Sequence, residues 1–155
     1  MNEYKLTILV AEDKEYMRKL IEKYIFSNPT KSVHGVNINY YVDFCETADE
    51  AILKYVGGEH DIVIMDLFFD KGDLNGIEAV GELLEVNPKL SIIGMASEGE
   101  PKVDIFKQSG IRFFLEKVFQ DSYLWNRVDA ISSEIIKAEL SKSPEPRGFL
   151  FRKRK

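Results

Sequence analysis

The sequence is short of the features that mark secreted and membrane proteins. It contains a single cysteine, Cys45, so no internal disulfide can form. No apolar run reaches the roughly 18 residues that a membrane-spanning helix needs. The opening segment MNEYKLTILVAEDK lacks the basic start and the small-residue cleavage site of a signal peptide. From these absences we expect a cytoplasmic protein.

Several classes of functional motif are missing as well. There is no glycine-rich GxxxxGKS or GxxxxGKT loop to support nucleotide hydrolysis, and no nucleophilic serine or cysteine motif. The two histidines, His34 and His60, have no cysteine at a metal-binding spacing. The formal net charge of -5 argues against nucleic-acid binding by the body of the chain.

The composition is that of a folded domain followed by a basic tail. Hydrophobic residues make up 45% of the 155 residues and charged residues 30%, which argues against disorder and suits one core. We place this domain at residues 1–140. Residues 141–155 contain two prolines and include the segment RGFLFRKRK. We expect a flexible tail that could contact an acidic partner or an anionic membrane surface.

Apolar runs and helical patterns alternate along the whole domain. Five runs are predicted to be buried strands: LTILVA, VNINYYVDF, DIVIMD, LSIIGMA and IRFFLEK. Helices are predicted over KEYMRKLIEKYIF, ADEAILKYV, GIEAVGELLEV, EPKVDIFKQSG and DSYLWNRVDAISSEIIKAEL, and NPTKSVHG is predicted to be a loop. This alternation indicates an α/β fold. The expected architecture is a five-stranded parallel sheet with helices on both faces, the doubly wound, flavodoxin-like (βα)5 three-layer sandwich.

Charged residues stand where the predicted strands end. Glu12 and Asp13 follow the first strand, Asp66 ends the third, and Lys117 closes the fifth. Open parallel sheets place their sites beyond the carboxyl ends of the strands, and in a flavodoxin-like order the first and third strands are neighbours. The three acids would repel one another unless a cation lay among them, and hard oxygen ligands suit Mg²⁺. Asp66 would then be a nucleophile able to form an acyl phosphate, with Lys117 neutralising the phosphate.

Each of these residues also has an ordinary interpretation. Asp13 could be a helix cap, Asp66 a loop residue and Lys117 a solvated charge. It is their combination in one alternating chain that favours a shared site.

Over roughly residues 5 to 140 the sequence resembles the receiver domain of two-component response regulators. The segment ILVAEDKEYMRKL resembles that family's first strand, acidic pair and first helix, and TADEAI resembles the start of its second helix. DIVIMDLFF and NGIEAV resemble the phosphoacceptor strand and the helix after it. SGIRFFLEKVF resembles the segment that carries the family's aromatic residue and its lysine.

The resemblance implies a role for each matching residue. Asp66 would be the phosphorylated residue, Lys117 would contact the phosphoryl oxygens, and Phe114 would occupy the aromatic switch position. The Mg²⁺ ligands would be Glu12, Asp13, Asp66 and the main-chain carbonyl of Phe68.

The sequence departs from the family pattern in four places. The family has a threonine or serine at the end of the fourth strand, where alignment places Ala96, with Ser97 one residue later; a local bulge could bring Ser97 into register. Val118 stands where a proline usually follows the lysine. The loop FFDKGDLNG is about two residues longer than usual, and we interpret it as an ordinary solvated turn. Phe68 lies where its ring could shield an acyl phosphate from water.

The leading interpretation is a stand-alone receiver in a phosphorelay. A histidine kinase or phosphotransfer protein would supply the phosphoryl group, and contact with a downstream protein would be the output. The expected output face comprises the fourth helix, the fifth strand and the fifth helix, and the exposed stripe of the last helix could serve a homodimer. The chain would be a phosphoacceptor and not an enzyme, with at most self-catalysed phosphorylation and dephosphorylation.

Two other functions remain open at this stage. The alternative is a receiver-like interaction module that works without phosphorylation, which Ala96 and Val118 motivate. A metal-dependent phosphatase with an aspartyl nucleophile is a weaker option. Such enzymes commonly need a second acid two residues after the nucleophile, and Phe68 occupies that place.

Overall fold

Strands and helices alternate along the chain, as the sequence predicts. The computed structural model describes residues 2–70, 72, 74–97 and 109–142. Within these residues the strands are β1 (Glu3–Ala11), β2 (Thr30–Val33), β3 (Val36–Cys45), β4 (Ile62–Asp66), β5 (Ser91–Ser97) and β6 (Phe113–Lys117). The helices are α1 (Glu15–Phe26), α2 (Ala48–Gly57), α3 (Gly76–Val86) and α4 (Asp121–Leu140). Among the described residues, no helix has the length and apolar character needed to cross a membrane.

All six strands form one sheet in the order β2-β3-β1-β4-β5-β6. Every neighbouring pair from β3 to β6 is parallel, and only β2 runs antiparallel to its neighbour. The predicted five-stranded parallel sheet is therefore confirmed, with a sixth strand added at one edge. Because β1 lies between β3 and β4, the strand order reverses at the position where a doubly wound sheet places its site.

The added edge strand corrects the loop prediction for NPTKSVHG. Residues 30–33 pair antiparallel with β3, and Val33 stands opposite Val36. The two residues between them, His34 and Gly35, have φ angles of 50° and 79°. A tight hairpin turn of this kind requires positive φ at both central residues, and glycine adopts it at no steric cost. The short and mostly polar TKSV run gave no strand signal of its own.

The core lies in two layers, one on each face of the sheet. On one face, β1 and β4 residues such as Ile8 and Ile64 pack with α1 and α4. On the other face, Leu9 and Val63 pack with α2 and α3. Neighbouring residues of a strand point to opposite faces, so strands covered on both sides must be apolar throughout. This requirement explains the continuous apolar runs and leaves the strand ends as the places for polar groups.

Two predicted segments lie outside the described residues. The helix predicted over EPKVDIFKQSG falls almost entirely on residues 98–108, and only Ser109 and Gly110 at its end are described. The basic tail is described only as far as Lys142. Gly110 has a φ of 85°, in the left-handed region that favours glycine after a helix.

Candidate functional site

The ends of β1 and β4 bring three acids together. Ala11 stands opposite Met65 in the parallel ladder, so Glu12 and Asp66 emerge at the same level of the sheet. Glu12, Asp13 and Asp66 are 0%, 6% and 1% exposed. One carboxylate oxygen from each lies within 4.8 Å of the others. The structure therefore gathers these three acids into one buried cluster, at the point of the sheet that the sequence indicated.

Lys117 reaches the same cluster from the end of β6. Its Nζ lies 2.6 Å from Glu12 Oε1 and 3.2 Å from Asp66 Oδ1, and its side chain is almost fully buried. Strand β5 separates β4 from β6, so the long side chain passes the end of β5 to reach the acids. The peptide bond between Lys117 and Val118 is cis. The contacts of its ammonium with Glu12 and Asp66 make Lys117 an internal counter-ion of the cluster.

The cluster carries more negative charge than Lys117 can neutralise. Burial, followed by the nearby charge of Glu12, raises the pKa of Asp66 to about 7, although Lys117 and the Phe68 N–H oppose the rise. Burial also raises the pKa of Glu12. Burial lowers the pKa of Lys117, but its contacts with Glu12 and Asp66 outweigh this and raise it overall. Like charges held this closely favour either a bound cation or a retained proton.

The donor set fits a hard divalent cation. Glu12 Oε2 accepts a hydrogen bond from the Lys14 N–H at 3.0 Å, and the main-chain carbonyl of Glu12 accepts one from Arg18 at 2.9 Å. Oε1 of Glu12 is buried and has no hydrogen bond of normal geometry within the described residues, although the Lys117 ammonium lies beside it. Buried carboxylate oxygens with spare lone pairs are the ligands that Mg²⁺ prefers. The acid cluster could therefore bind a metal ion.

The backbone after β4 is fitted closely around Asp66. The Phe68 N–H donates to Asp66 Oδ1 at 3.1 Å and fixes the orientation of that carboxylate. Asn75 caps α3 in a reciprocal arrangement with Glu78. Gly76 begins α3 so near to β4 that an added Cβ would overlap the carbonyl oxygen of Asp66. The glycine in NGIEAV is therefore required by close packing behind the acid cluster.

The loop between β4 and α3 also contributes Asp70, which the sequence predicts, with Asp73, to be added negative charge near the site in a solvated turn. The Asp70 N–H donates to Asp13 Oδ2 at 2.9 Å, and the Asp70 carboxylate pairs with Lys14. Burial raises the pKa of Asp13, but the Asp70 hydrogen bond and the nearby positive charges outweigh it, so the pKa is lowered overall. The interpretation of this loop as an ordinary solvated turn is thus incomplete. The sequence showed the charge of Asp70 near the site, but not its contact with Asp13.

The register of β5 separates the two candidates for the hydroxyl position. Met95 stands opposite Asp66 in one ladder, and Ser97 stands opposite Lys117 in the next. Because strand residues alternate between faces, Ser97 shares the face of Met95 and Lys117, whereas Ala96 faces the other way and is fully buried. Ser97 thus lies on the same face of the sheet as Lys117, and its role at the site stays a prediction.

Phe114 lies on the opposite face of β6 from Lys117. Its ring is half-buried and packs against the core layer beneath α2 and α3. Its main-chain carbonyl accepts a hydrogen bond from Arg127 of α4 at 3.1 Å. The predicted switch residue thus connects strand β6 to the last helix, but its switching role stays a prediction, as does the role of the Phe68 carbonyl.

Comparison with known proteins found a chemotaxis protein and a transcriptional regulatory protein that are similar in sequence. No family model matches the chain. It is 28% identical over 126 residues to the chemotaxis protein CheY of Thermotoga maritima, a match covering 81% of this chain and 96% of that protein. It is 30% identical to the transcriptional regulatory protein ResD of Bacillus subtilis, covering 80% of this chain but 47% of that protein. The chain thus spans about half the length of the second relative.

Solved structures agree in fold. The signal receiver domain of a putative LuxO repressor from Vibrio parahaemolyticus aligns with a TM-score of 0.72 at 22% identity, covering 90% of this chain and 99% of that one. Chemotaxis protein CheY4 of Vibrio cholerae aligns with a TM-score of 0.67 at 18% identity, covering 82% and 98%. At these identities the structures support the fold alone. Together, the sequence relatives and the shared fold support a CheY-like receiver domain.

Proposed function

We propose that the chain is a phosphoacceptor that takes a phosphoryl group on Asp66 in a two-component phosphorelay. The observation that carries this proposal is the burial of Asp66 between an acid pair and a lysine, at the ends of β1, β4 and β6. Receiver domains are signalling modules that interact with histidine kinases and downstream targets. The donor would accordingly be a histidine kinase or phosphotransfer protein, and the output would be contact with a downstream protein.

The transfer needs the Asp66 carboxylate in its ionised form. One Asp66 oxygen attacks the phosphorus atom, a new O–P bond forms, and the bond to the donor group breaks. The Phe68 N–H holds Oδ1 in place during this step. Glu12, Asp13, Asp66 and the Phe68 carbonyl would hold Mg²⁺, which neutralises charge on the transferring group when it is bound.

Lys117 and Ser97 would complete the site after transfer. The Lys117 ammonium already lies 3.2 Å from Asp66, so a small displacement would let it pair with a phosphoryl oxygen. Ser97 shares its face of the sheet, and its hydroxyl would donate a hydrogen bond to the same group. A charge-assisted bond of this type is worth roughly 1.5–3 kcal/mol, enough to shift the balance between two conformations of a surface. Phe114 would transmit that shift to α4.

Mass spectrometry of the intact protein tests the proposal. The chain is incubated with Mg²⁺ and a small phosphodonor such as acetyl phosphate. We expect one phosphate adduct in the wild-type protein, none in Asp66→Asn, and an undiminished adduct in the control variant Asp129→Asn. Asp129 is a half-exposed acid paired with Lys31 and lies outside the acid cluster. The proposal fails if the adduct persists in Asp66→Asn.

A phosphorylation-independent interaction module is the second candidate, and Val118 in the position of the usual proline favours it. Ala96 at the position of the family's hydroxyl residue also favours it, whereas the place of Ser97 opposite Lys117 in the ladder supports the first candidate. Absence of any adduct, with Mg²⁺ and several phosphodonors, would support this second function over the first.

A further inference from the structure

The loop after β4 contacts Asp13 of the acid cluster through Asp70. Its main-chain N–H donates to Asp13 Oδ2 at 2.9 Å, while its carboxylate pairs with the ammonium of Lys14. Lys14 in turn follows the acid pair directly, and its own N–H donates to Glu12 Oε2 at 3.0 Å. Lys14 and Asp70 therefore connect the loop after β1 to the loop after β4, beside Asp13.

Asp13 is buried, whereas the Lys14–Asp70 ion pair is largely exposed to solvent. Asp13 is 6% exposed, whereas the side chain of Asp70 is 69% exposed. An exposed ion pair contributes little to global stability. This pair lies against a buried carboxylate, however, because Lys14 Nζ is also 3.9 Å from Asp13 Oδ2. Its consequence is expected in the position of Asp13 and not in the stability of the fold.

We infer that Lys14 and Asp70 form a clasp that positions Asp13 for Mg²⁺ binding. This inference rests on the proposed function, in which Asp13 is a metal ligand. The Asp70 N–H donates to Oδ2 of Asp13 and fixes the orientation of that carboxylate, which contributes a ligand oxygen to the acid cluster. The Lys14 ammonium holds Asp70 in place and prevents its carboxylate from adding a further uncompensated charge to the cluster. Lys14 and Asp70 are positioning residues, since they act through Asp13.

The clasp and simple electrostatics predict opposite signs for one substitution. Lys14→Gln removes a positive charge that repels a cation at the site. Through-space electrostatics alone would therefore tighten Mg²⁺ binding. If the clasp positions Asp13, the same substitution releases Asp70 and weakens binding. We expect Lys14→Gln to weaken Mg²⁺ binding by roughly threefold to tenfold, in line with the effect of removing groups that orient metal ligands.

The experiment is an NMR titration of the full chain with MgCl₂, combined with hydrogen exchange of the Asp70 amide. In Lys14→Gln we expect that amide to exchange at least roughly tenfold faster, because its hydrogen bond to Asp13 is lost more often. Lys19→Gln is the matched control. Lys19 is an exposed lysine on α1 that pairs with Glu15 at 3.2 Å, outside the cluster. It should leave both the Mg²⁺ affinity and the Asp70 exchange rate as in the wild type.

Charge reversal of the pair gives a second, independent test. Lys14→Glu alone should weaken Mg²⁺ binding, and Lys14→Glu combined with Asp70→Lys should restore most of the affinity by rebuilding the pair in reverse. Tighter binding in Lys14→Gln, unchanged Asp70 exchange, or a double variant no better than the single one would each overturn the clasp. So would a wild-type chain that binds no Mg²⁺. If the clasp results hold but Asp66 takes no phosphate, the proposed function fails and the clasp stands.

Discussion

Two aspartates bracket strand β4, and their surroundings differ. Before the strand, Asp61 Oδ2 accepts a hydrogen bond from the Thr7 N–H at 3.0 Å and Oδ1 accepts one from the Tyr4 hydroxyl at 3.3 Å. At the last residue of the strand, Asp66 is buried beside Glu12 and Lys117, and burial followed by the charge of Glu12 raises its pKa to about 7. One carboxylate is held by neutral donors and links two strands. The other is crowded by like charge.

This difference separates a structural acid from a chemical one. The Asp61 N–H also donates to the Thr7 carbonyl at 2.8 Å, so Asp61 and Thr7 fix β1 beside β4 at the amino ends of the strands. Within the described residues, the neutral donor to Asp66 is the Phe68 N–H alone. A carboxylate kept in such surroundings costs folding free energy, and sites that retain such a cost are candidates for function.

The largest expected effect comes from disturbing the backbone behind Asp66. Gly76→Ala would place a Cβ onto the Asp66 carbonyl oxygen, so either β4 or the start of α3 must move. We expect a loss of about 3 kcal/mol or more in the free energy of unfolding, measured by urea titration.

Gly81 provides the control for that substitution, because it lies on the same helix with nothing within 4 Å of an added Cβ. Gly81→Ala should stabilise the protein by about 0.5–1 kcal/mol through helix propensity. Similar effects at both glycines would contradict the close fit described behind Asp66.

The next largest effect is that substitutions at Asp66 and Asp61 should change the free energy of unfolding in opposite directions. In metal-free buffer at about pH 8, Asp66→Asn should raise the free energy of unfolding by about 1–3 kcal/mol, because it removes a like charge from a buried cluster. Asp61→Asn should lower it by about 1 kcal/mol, because one of two hydrogen-bond acceptors is lost. A change of the same sign in the free energy of unfolding of both variants would contradict the contrast drawn between Asp61 and Asp66.

The stability gain in Asp66→Asn should also depend on pH. The pKa of Asp66 in the folded chain is about 7, above its ordinary value of 3.8, so between these values the folded chain retains a proton that the unfolded chain has released. The stabilisation from that proton is complete below about pH 4 and is lost as the pH rises through about 7. The gap between Asp66→Asn and the wild type should therefore be larger at about pH 8 than at about pH 5. A constant gap would mean that Asp66 does not titrate with the raised pKa.

Much of this comparison could be predicted from the sequence, because it depends on local patterns. Continuous apolar runs ending in acids specify buried parallel strands and the edge at which their polar residues meet. Lys117 was identified in the same way. The choice between Ala96 and Ser97 depends on the ladder register of β5, which the sequence alone does not fix to one residue.

The features that the sequence did not reveal depend on contacts between distant segments. Asp70 and Lys14 are far apart in the chain, and each is an ordinary surface residue when considered alone. The β2 strand is short and polar, and it is held by its turn and by pairing with β3. In both cases the determining interaction forms only when a loop folds back, and no periodic pattern records it.

The smallest expected effect concerns the lifetime of the phosphorylated form. Phe68 is half-buried against the core layer beneath α2 and α3, and its contact with Asp66 is made by the main-chain N–H. Phe68→Asn therefore keeps that hydrogen bond and removes the ring. If the ring excludes water from the acyl phosphate, the phosphate adduct of Phe68→Asn should decay faster by roughly tenfold or less. Phe69→Asn removes the neighbouring ring from the same core layer and should leave the decay rate close to that of the wild type. The decay is followed by intact mass after the phosphodonor is removed. An unchanged lifetime in Phe68→Asn would mean that the ring does not keep water from the acyl phosphate. The difference between Asp61 and Asp66 would then consist only of the charges around each carboxylate.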